Sequence, residues 1–163
     1  MTVRPSHLFD KVEPVVKAIG YQLWWVHWIG RTTLQVFIDS PQGITLENCE
    51  QVSRELSAWL DLVDTELGLP ASYSLQVSSP GAERKLYAEE HYRKFCGWPV
   101  VIRLHHARDG KRTFRVLLTG VNESGIATKT GAVHQSFDWS EIKETRLMYD
   151  PDQDLHRPNK ENG

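Results

Sequence analysis

Basic side chains that could bind phosphate groups are concentrated in one stretch of the sequence. Residues 81–115 contain nine Lys and Arg against four Asp and Glu, a net charge of +5, whereas the whole chain has a net charge of −2. A local positive potential favours a polyanionic partner, and guanidinium groups donate paired hydrogen bonds to phosphate oxygens. We therefore predict that this stretch positions an RNA backbone without reading bases, with a solvated charged face as the alternative. The candidate binding residues are Arg84, Lys85, Arg93, Lys94, Arg103, Arg108, Lys111, Arg112 and Arg115.

Alternation along two predicted strands puts Arg103 and Arg115 on one outer surface. If Ile102 and Phe114 face the interior of the fold, their neighbours in the sequence face outward. The basic residues of the segment 108–112 then lie on the loop that joins the two strands. This hairpin is the most informative cluster in the chain.

No combination of residues predicts catalysis or metal binding. His105 and His106 are adjacent, and adjacent residues on a strand point to opposite faces, so they are poorly placed to chelate one ion. Cys49 and Cys96 lack the spacing of a zinc site or a disulfide framework, and Cys49 fits the core face of a helix. We expect no catalytic residue, no metal and no cofactor.

The stretch Ser78-Ser79-Pro80-Gly81 has the composition of a turn between domains. It has neither the Gly-x-Ser-x-Gly pattern of a nucleophile nor the spacing of a phosphate-binding loop. Pro80 fixes one backbone dihedral and Gly81 permits a left-handed one. We predict that these residues form a junction that sets the geometry of two domains.

Before this junction, the pattern predicts the order α-β-β-α-β. Ser6 can cap a first helix that ends at Gly20, and Pro14 predicts either a kink or a helix that begins only near Lys11. Strands are predicted over residues 21–29 and 33–39, joined by a two-residue turn at Gly30-Arg31. Thr45 can cap a long second helix, and a third strand covers residues 73–77.

After the junction, the pattern predicts a short helix over residues 88–95 and then five short strands. The strands cover residues 100–106, 113–121, 126–129, 133–138 and 145–148, separated by turn residues. Together they predict a small SH3-like or Sm-like β-barrel, and hence an α+β fold for the whole chain. The predicted division is residues 1–86 for the α/β domain with the junction, 87–150 for the barrel, and 151–163 for a disordered tail.

Trp25 and His27 lie on the first strand, on the face opposite the one that the predicted helices cover. Two interpretations remain open for Trp25: an exposed patch that contacts a partner, or a surface covered by the second domain.

The motifs along the chain, taken in order, resemble the bacterial ribosome maturation factor RimP family. The resemblance covers residues 8–149, and the ordered series is far more specific than any one motif. The residues that carry it are Val12-Glu13-Pro14-Val15-Val16, Gly20-Tyr21, Gly43-Ile44-Thr45-Leu46, Cys49, Val52-Ser53-Arg54, Val77-Ser78-Ser79-Pro80-Gly81, Arg84, Leu86, Phe114, Leu118 and Gly120-Val121.

This resemblance implies a non-enzymatic factor that assists late assembly of the small ribosomal subunit. The implied partners are the immature or free subunit, its 16S ribosomal RNA and ribosomal proteins near the decoding region. The family usually has a second Pro after the junction, where this chain has Lys85, and often a Gly where this chain has Arg115.

Two other function classes follow from the residues. The acidic first part, with five Lys and Arg against nine Asp and Glu in residues 1–80, could, together with an exposed Trp25, bind a basic ribosomal protein as an adaptor that does not contact RNA. The His residues beside the basic hairpin would suit an RNA-processing enzyme. The sequence shows no leader and no apolar run long enough to span a bilayer, so we expect a cytoplasmic protein that does not bind membranes. We also expect it to be a monomer.

Overall fold

The computed structural model describes residues 7–148, which fall into two compact units, residues 7–80 and 81–148. The division follows Pro80, six residues earlier than the boundary expected from the sequence. The reason is that residues 84–86 pair with the last strand of the second unit: Leu147 N–H donates to Arg84 O (3.0 Å), and Leu86 N–H donates to Thr145 O (2.9 Å). The predicted cap at Ser6 and the predicted tail lie outside the described residues.

The first unit has the predicted order α-β-β-α-β. Its elements are α1 (His7–Ile19), β1 (Gln22–Ile29), β2 (Thr33–Asp39), α2 (Leu46–Leu67) and β3 (Ser74–Ser78). The sheet order is β1-β2-β3, in which β1 and β2 are antiparallel and β2 and β3 are parallel. Parallel neighbours need a long crossover, and α2 provides it.

The core of the first unit lies between the two helices and one face of this sheet. Alternate residues of β2 are completely buried, and the helices contribute residues at helical spacing. The buried residues are Val12, Val16, Leu23, Val26, Leu34, Val36, Ile38, Val52, Leu56 and Leu60. Cys49 is half-buried against this cluster, where burial, and then the charge of Glu50, raises the pKa of its thiol.

The ends of the helices follow the predicted chemistry, with one difference at the first. Thr45 accepts a hydrogen bond from Asn48 N–H (3.1 Å), and the Asn48 side chain accepts one from Thr45 N–H (2.8 Å), which forms a capping box. Gly68 ends α2 with φ 67°, a left-handed conformation that glycine adopts without strain. Helix α1 already begins at His7, so the alternative of a helix that begins only near Lys11 was wrong, whereas a kink at Pro14 stays a prediction.

The first hairpin also differs from the prediction in two places. Ile29 pairs with Thr33, so the turn contains three residues rather than two. A register shift between Leu23 and Trp25 interrupts the alternation of β1, so that residues on either side of the shift share the core face.

The second unit contains one short helix and a five-stranded antiparallel sheet. Its elements are α3 (Glu89–Lys94), β4 (Pro99–Arg108), β5 (Lys111–Val121), β6 (Gly125–Thr130), β7 (Val133–Asp138), a 3₁₀ turn (Trp139–Glu141) and β8 (Ile142–Leu147). The strand order is β7-β6-β5-β4-β8. The prediction of a mixed α+β fold with five strands after the junction is confirmed, whereas closure into a barrel stays a prediction.

The inward face of this sheet is a separate core. Val100 pairs with Val116 and Leu147, and all three are buried. The buried hydroxyl of Tyr92 donates to Thr145 Oγ1 (2.8 Å), and burial raises the pKa of Tyr92 to about 12. Residues one position away in each strand must face outward, which determines where the charged side chains of the sheet lie.

Candidate nucleic-acid interface

The pairing of three neighbouring strands brings basic residues to the outward face of the second unit. Val101 of β4 pairs with Arg115 on one side and with Arg146 of β8 on the other. Directly paired residues share a face of the sheet, so both arginines point outward with Val101 between them. Arg103, two residues along β4, lies on this face as well. The sequence-based grouping of Arg103 with Arg115 therefore agrees with the strand register.

Two lysines extend this surface at its edges. Lys129 of β6 pairs with Leu117, which is two residues from Arg115 and on the same face. Lys85 forms an isolated bridge with Arg146. We call this surface the basic face and define it by its five cations, which are Lys85, Arg103, Arg115, Lys129 and Arg146.

One carboxylate lies among these cations. Glu144 accepts a hydrogen bond from Arg103 (Nη1 to Oε1, 2.9 Å), and its Oε2 lies 3.1 Å from Lys85 Nζ and 3.7 Å from Arg146 Nε. Burial by itself would raise the pKa of Glu144, but the hydrogen bonds from Arg103 and Lys85 and the charges of Lys85 and Arg146 lower it below the ordinary range. Glu144 is therefore ionised at neutral pH and holds three of the five cations in place.

The other two cations of the basic face are exposed to solvent. Neither Arg115 nor Lys129 forms an ion pair within residues 7–148. Counting Glu144, the surface carries five positive charges and one negative charge. Guanidinium and ammonium groups arranged in this way can donate charge-assisted hydrogen bonds to several phosphates of one strand.

Arg108 has a different environment from the rest of the predicted set. Its Nη2 donates to both oxygens of Glu141 (2.9 and 2.7 Å), its Nη1 donates to Ser136 O (3.0 Å), and its guanidinium lies 4.4 Å from the centre of the Phe137 ring. These contacts tie the β4–β5 hairpin to β7 and to the 3₁₀ turn. Arg108 therefore has a structural role that the sequence did not indicate.

The remaining residues predicted to bind lie around the hairpin or near α3. Lys111 and Arg112 are exposed at the start of β5, with Lys111 Nζ 5.4 Å from the centre of the Phe114 ring. Arg93 pairs with Glu89 one helical turn earlier (2.6 Å), Lys94 ends α3, and the Arg84 guanidinium lies 5.6 Å from the centre of the Phe95 ring. Lys111 and Arg112 therefore belong to the hairpin, and Arg84, Arg93 and Lys94 lie on or beside α3.

The predicted junction spans the division between the two units. Ser78 ends β3, where it pairs with Phe37 of β2, and Ser79 and Pro80 complete the first unit. Gly81 begins the second unit with φ 85°, which glycine adopts without strain.

In the described part of the chain, the exposed histidines, His27 and Trp25 have environments that do not form a binding site. His105 and His106 are both exposed, and no cluster of metal-ligating residues is found within residues 7–148. The Nε2 of His27 lies 2.7 Å from Gln35 Oε1. Trp25 is only 8% exposed, so the structure does not present it as a surface patch for a partner.

Sequence reasoning missed Lys129 and Arg146, two of the five cations of the basic face. Both lie beyond the stretch in which the positive charge is concentrated, so the regional charge count excluded them. A signal was nevertheless available, because each occupies a position in a predicted strand that alternates with inward-facing residues. Only the strand order shows that they lie on the same surface as Arg103 and Arg115.

A protein-family model described as the RimP N-terminal domain matches residues 11–83. The match begins within α1, continues through β3 and ends just beyond the junction. No described helix is long and apolar enough to cross a membrane.

Proposed function

We propose that this chain, which belongs to the RimP family of ribosome maturation factors because residues 11–83 match the RimP N-terminal domain, assists late assembly of the small ribosomal subunit by binding the immature or free subunit. In this proposal the basic face contacts 16S ribosomal RNA. The first unit faces ribosomal proteins near the decoding region, and the protein acts as a monomer in the cytoplasm. The five strands of the second unit would form the SH3-like barrel that such a factor carries.

The observation that supports this proposal is the composition of the basic face. Five cations from four strands and the segment before α3 lie on one surface with a single carboxylate, although the chain as a whole is acidic. A protein without a polyanionic partner would gain little from grouping like charges in this way, because like charges repel. Contacts of this kind bind phosphates and carry no information about base sequence.

Co-sedimentation with free small subunits tests the proposal. Arg115→Gln combined with Lys129→Gln removes two exposed charges that form no ion pair within the described part of the chain. This variant should bind the particle at least about tenfold more weakly and with a shallower salt dependence, because each phosphate contact contributes roughly 0.7 to 0.9 to the slope of log K against log salt.

A matched control removes the same charge from the first unit. Lys11 and Arg54 are exposed on α1 and α2, and Lys11→Gln combined with Arg54→Gln should leave both affinity and salt slope nearly unchanged. Equal losses in the two double variants would show a general charge effect and would refute a specific role for the basic face. If the folded wild-type protein fails to sediment with free or immature subunits at moderate salt, the proposal itself is wrong.

The proposal assigns no catalysis to this chain. The competing class is an RNA-processing enzyme that uses His105. Incubation of the purified protein with precursor RNA should yield no product. Product formation that is lost in His105→Ala would support the enzyme instead.

One observation favours a second candidate function, that of an adaptor for a basic ribosomal protein. Helix α2 contains six acidic residues and one basic residue, and most of these acids are exposed. The acids are Glu47, Glu50, Glu55, Asp61, Asp64 and Glu66. Binding to an RNA-free ribosomal protein that is insensitive to Arg115→Gln and Lys129→Gln, but weakened by Glu47→Gln and Asp61→Asn, would support this role.

A further inference from the structure

A cavity of about 140 Å³ lies in the second unit next to the basic face. Its most buried lining residues are Leu86, Tyr92 and Trp139, which are 5%, 4% and 7% exposed. The Tyr92 and Trp139 rings are 4.9 Å apart between centroids and inclined at 70°. These side chains give the cavity an apolar and largely aromatic interior.

Polar groups line the more exposed part of the same cavity. The Lys85, Glu89 and Glu144 side chains are 34%, 28% and 18% exposed, and Lys143 is exposed as well. An ammonium group supplies hydrogen-bond donors and a carboxylate supplies acceptors. An apolar interior with a few polar groups at its edge is the usual composition of a site for a small planar ligand.

The volume limits what can enter. A dry apolar cavity of roughly 150 Å³ in another protein holds one benzene molecule. The cavity described here is about the same size, so a single six-membered ring matches its volume more closely than the two fused rings of a purine do.

The cavity and the basic face are continuous, because Lys85 and Glu144 belong to both. A strand whose phosphates lie against Lys85 and Arg146 therefore passes the mouth of the cavity. Single-stranded RNA can turn an unstacked base away from its backbone and place it against aromatic side chains.

We propose that this cavity binds one unstacked pyrimidine base of a single-stranded RNA whose phosphates contact the basic face. The proposal rests on the RNA contact proposed above and adds a preference for pyrimidine over purine at one position. An aromatic side chain of a protein has a similar size, but the positive charge beside the mouth favours the base of a polyanion.

The test compares three single-stranded decamers that carry the same phosphates: oligouridylate, oligoadenylate and a decamer of abasic ribose phosphates. The full chain should bind oligouridylate about 5- to 150-fold more tightly than the abasic decamer, the range expected for stacking one base. Oligoadenylate should bind more weakly than oligouridylate, because a pyrimidine matches the cavity better than a purine does.

Ile142→Phe tests the cavity directly, because Ile142 is a half-buried lining residue and a larger side chain would fill the space. This variant should bind oligouridylate no more tightly than the abasic decamer. Its affinity for the abasic decamer should equal that of the wild type. Leu62→Phe, at a position on α2 that is 82% exposed, is the matched control and should retain both affinities. Circular dichroism checks folding.

A second measurement uses the wild-type protein, so it does not depend on the folding of a variant. A decamer with one 4-thiouridine should crosslink on irradiation to peptides that contain Tyr87, Tyr92 or Trp139, which line the cavity.

Three results would overturn the inference. If the abasic decamer binds in a salt-dependent manner and oligouridylate binds no better, the cavity takes no base, although the proposed RNA contact stands. If no decamer binds even at low salt, the basic face does not bind RNA, and both proposals fail. If a phenylalanine-containing peptide occupies the cavity while oligouridylate gains nothing, the site takes a protein side chain instead.

Discussion

Neutralising Glu144 should increase the affinity of the protein for RNA. This carboxylate forms contacts of 2.9, 3.1 and 3.7 Å with three cations of the basic face, so a phosphate that approaches these cations competes with Glu144. Glu144→Gln preserves the shape of the side chain and removes the competing charge. The net charge of the basic face then rises from four to five positive charges.

The size of the effect follows from the exposure of the contacts. The three cationic side chains are 34%, 52% and 46% exposed, so each ion pair contributes only about 0.2 to 1 kcal/mol. Releasing all three gives roughly 0.6 to 3 kcal/mol, which corresponds to about 3- to 150-fold tighter binding at low salt. The slope of log K against log salt should steepen by roughly 0.7 for each additional contact with single-stranded RNA.

Fluorescence anisotropy with a labelled oligouridylate measures both quantities across a salt series. Glu66→Gln removes an exposed carboxylate from α2 and should change neither affinity nor slope measurably. A weaker affinity in Glu144→Gln, with thermal stability intact, would contradict this reasoning and show that Glu144 chiefly positions the three cations. An unchanged affinity would show that RNA does not contact this part of the surface.

Three further predictions concern the folding of the second unit. Gly125→Ala should destabilise the protein by at least about 2 kcal/mol in urea denaturation, because an added Cβ would lie 1.9 Å from Phe137 O. Gly120→Ala is the control. Its Cβ would meet only Ala127 Cβ at 3.5 Å, so it should lower the unfolding free energy far less. Arg108→Ala should lower the unfolding free energy by roughly 1 to 3 kcal/mol, because the hydrogen bonds from Arg108 to Glu141 and Ser136 are lost. It should weaken RNA binding less than Arg115→Gln does. A larger loss of RNA affinity in Arg108→Ala than in Arg115→Gln would contradict the structural role of Arg108. Hydrogen bonds from the Asp138 backbone N–H and from Arg108 lower the pKa of Glu141. The contribution of Glu141 to stability is therefore complete above the ordinary glutamate pKa and declines as the pH falls through the lowered value. In an acid titration, the stability of Glu141→Gln should depend less on pH than that of the wild type.

The order of elements could be predicted because its signals are local. Apolar periodicity, the Thr45 cap and Gly68 indicated α2 without knowledge of distant parts of the chain, and the capping box confirms that start. The same reasoning failed where a long-range register decides the geometry. The three-residue turn after Ile29 and the register shift before Trp25 depend on how β1 pairs with β2, which no local pattern specifies.

The sequence by itself determined that positive charge is concentrated after the junction and that Arg103 and Arg115 point outward. Charge counts and strand alternation depend only on the chain and the geometry of a strand. The tertiary structure alone decided which cations act together. It brought Arg146 beside Lys85 and placed Glu144 among them. It also turned Arg108 toward Glu141, 33 residues away in sequence, because the ion pairs of a folded chain depend on the order of its strands.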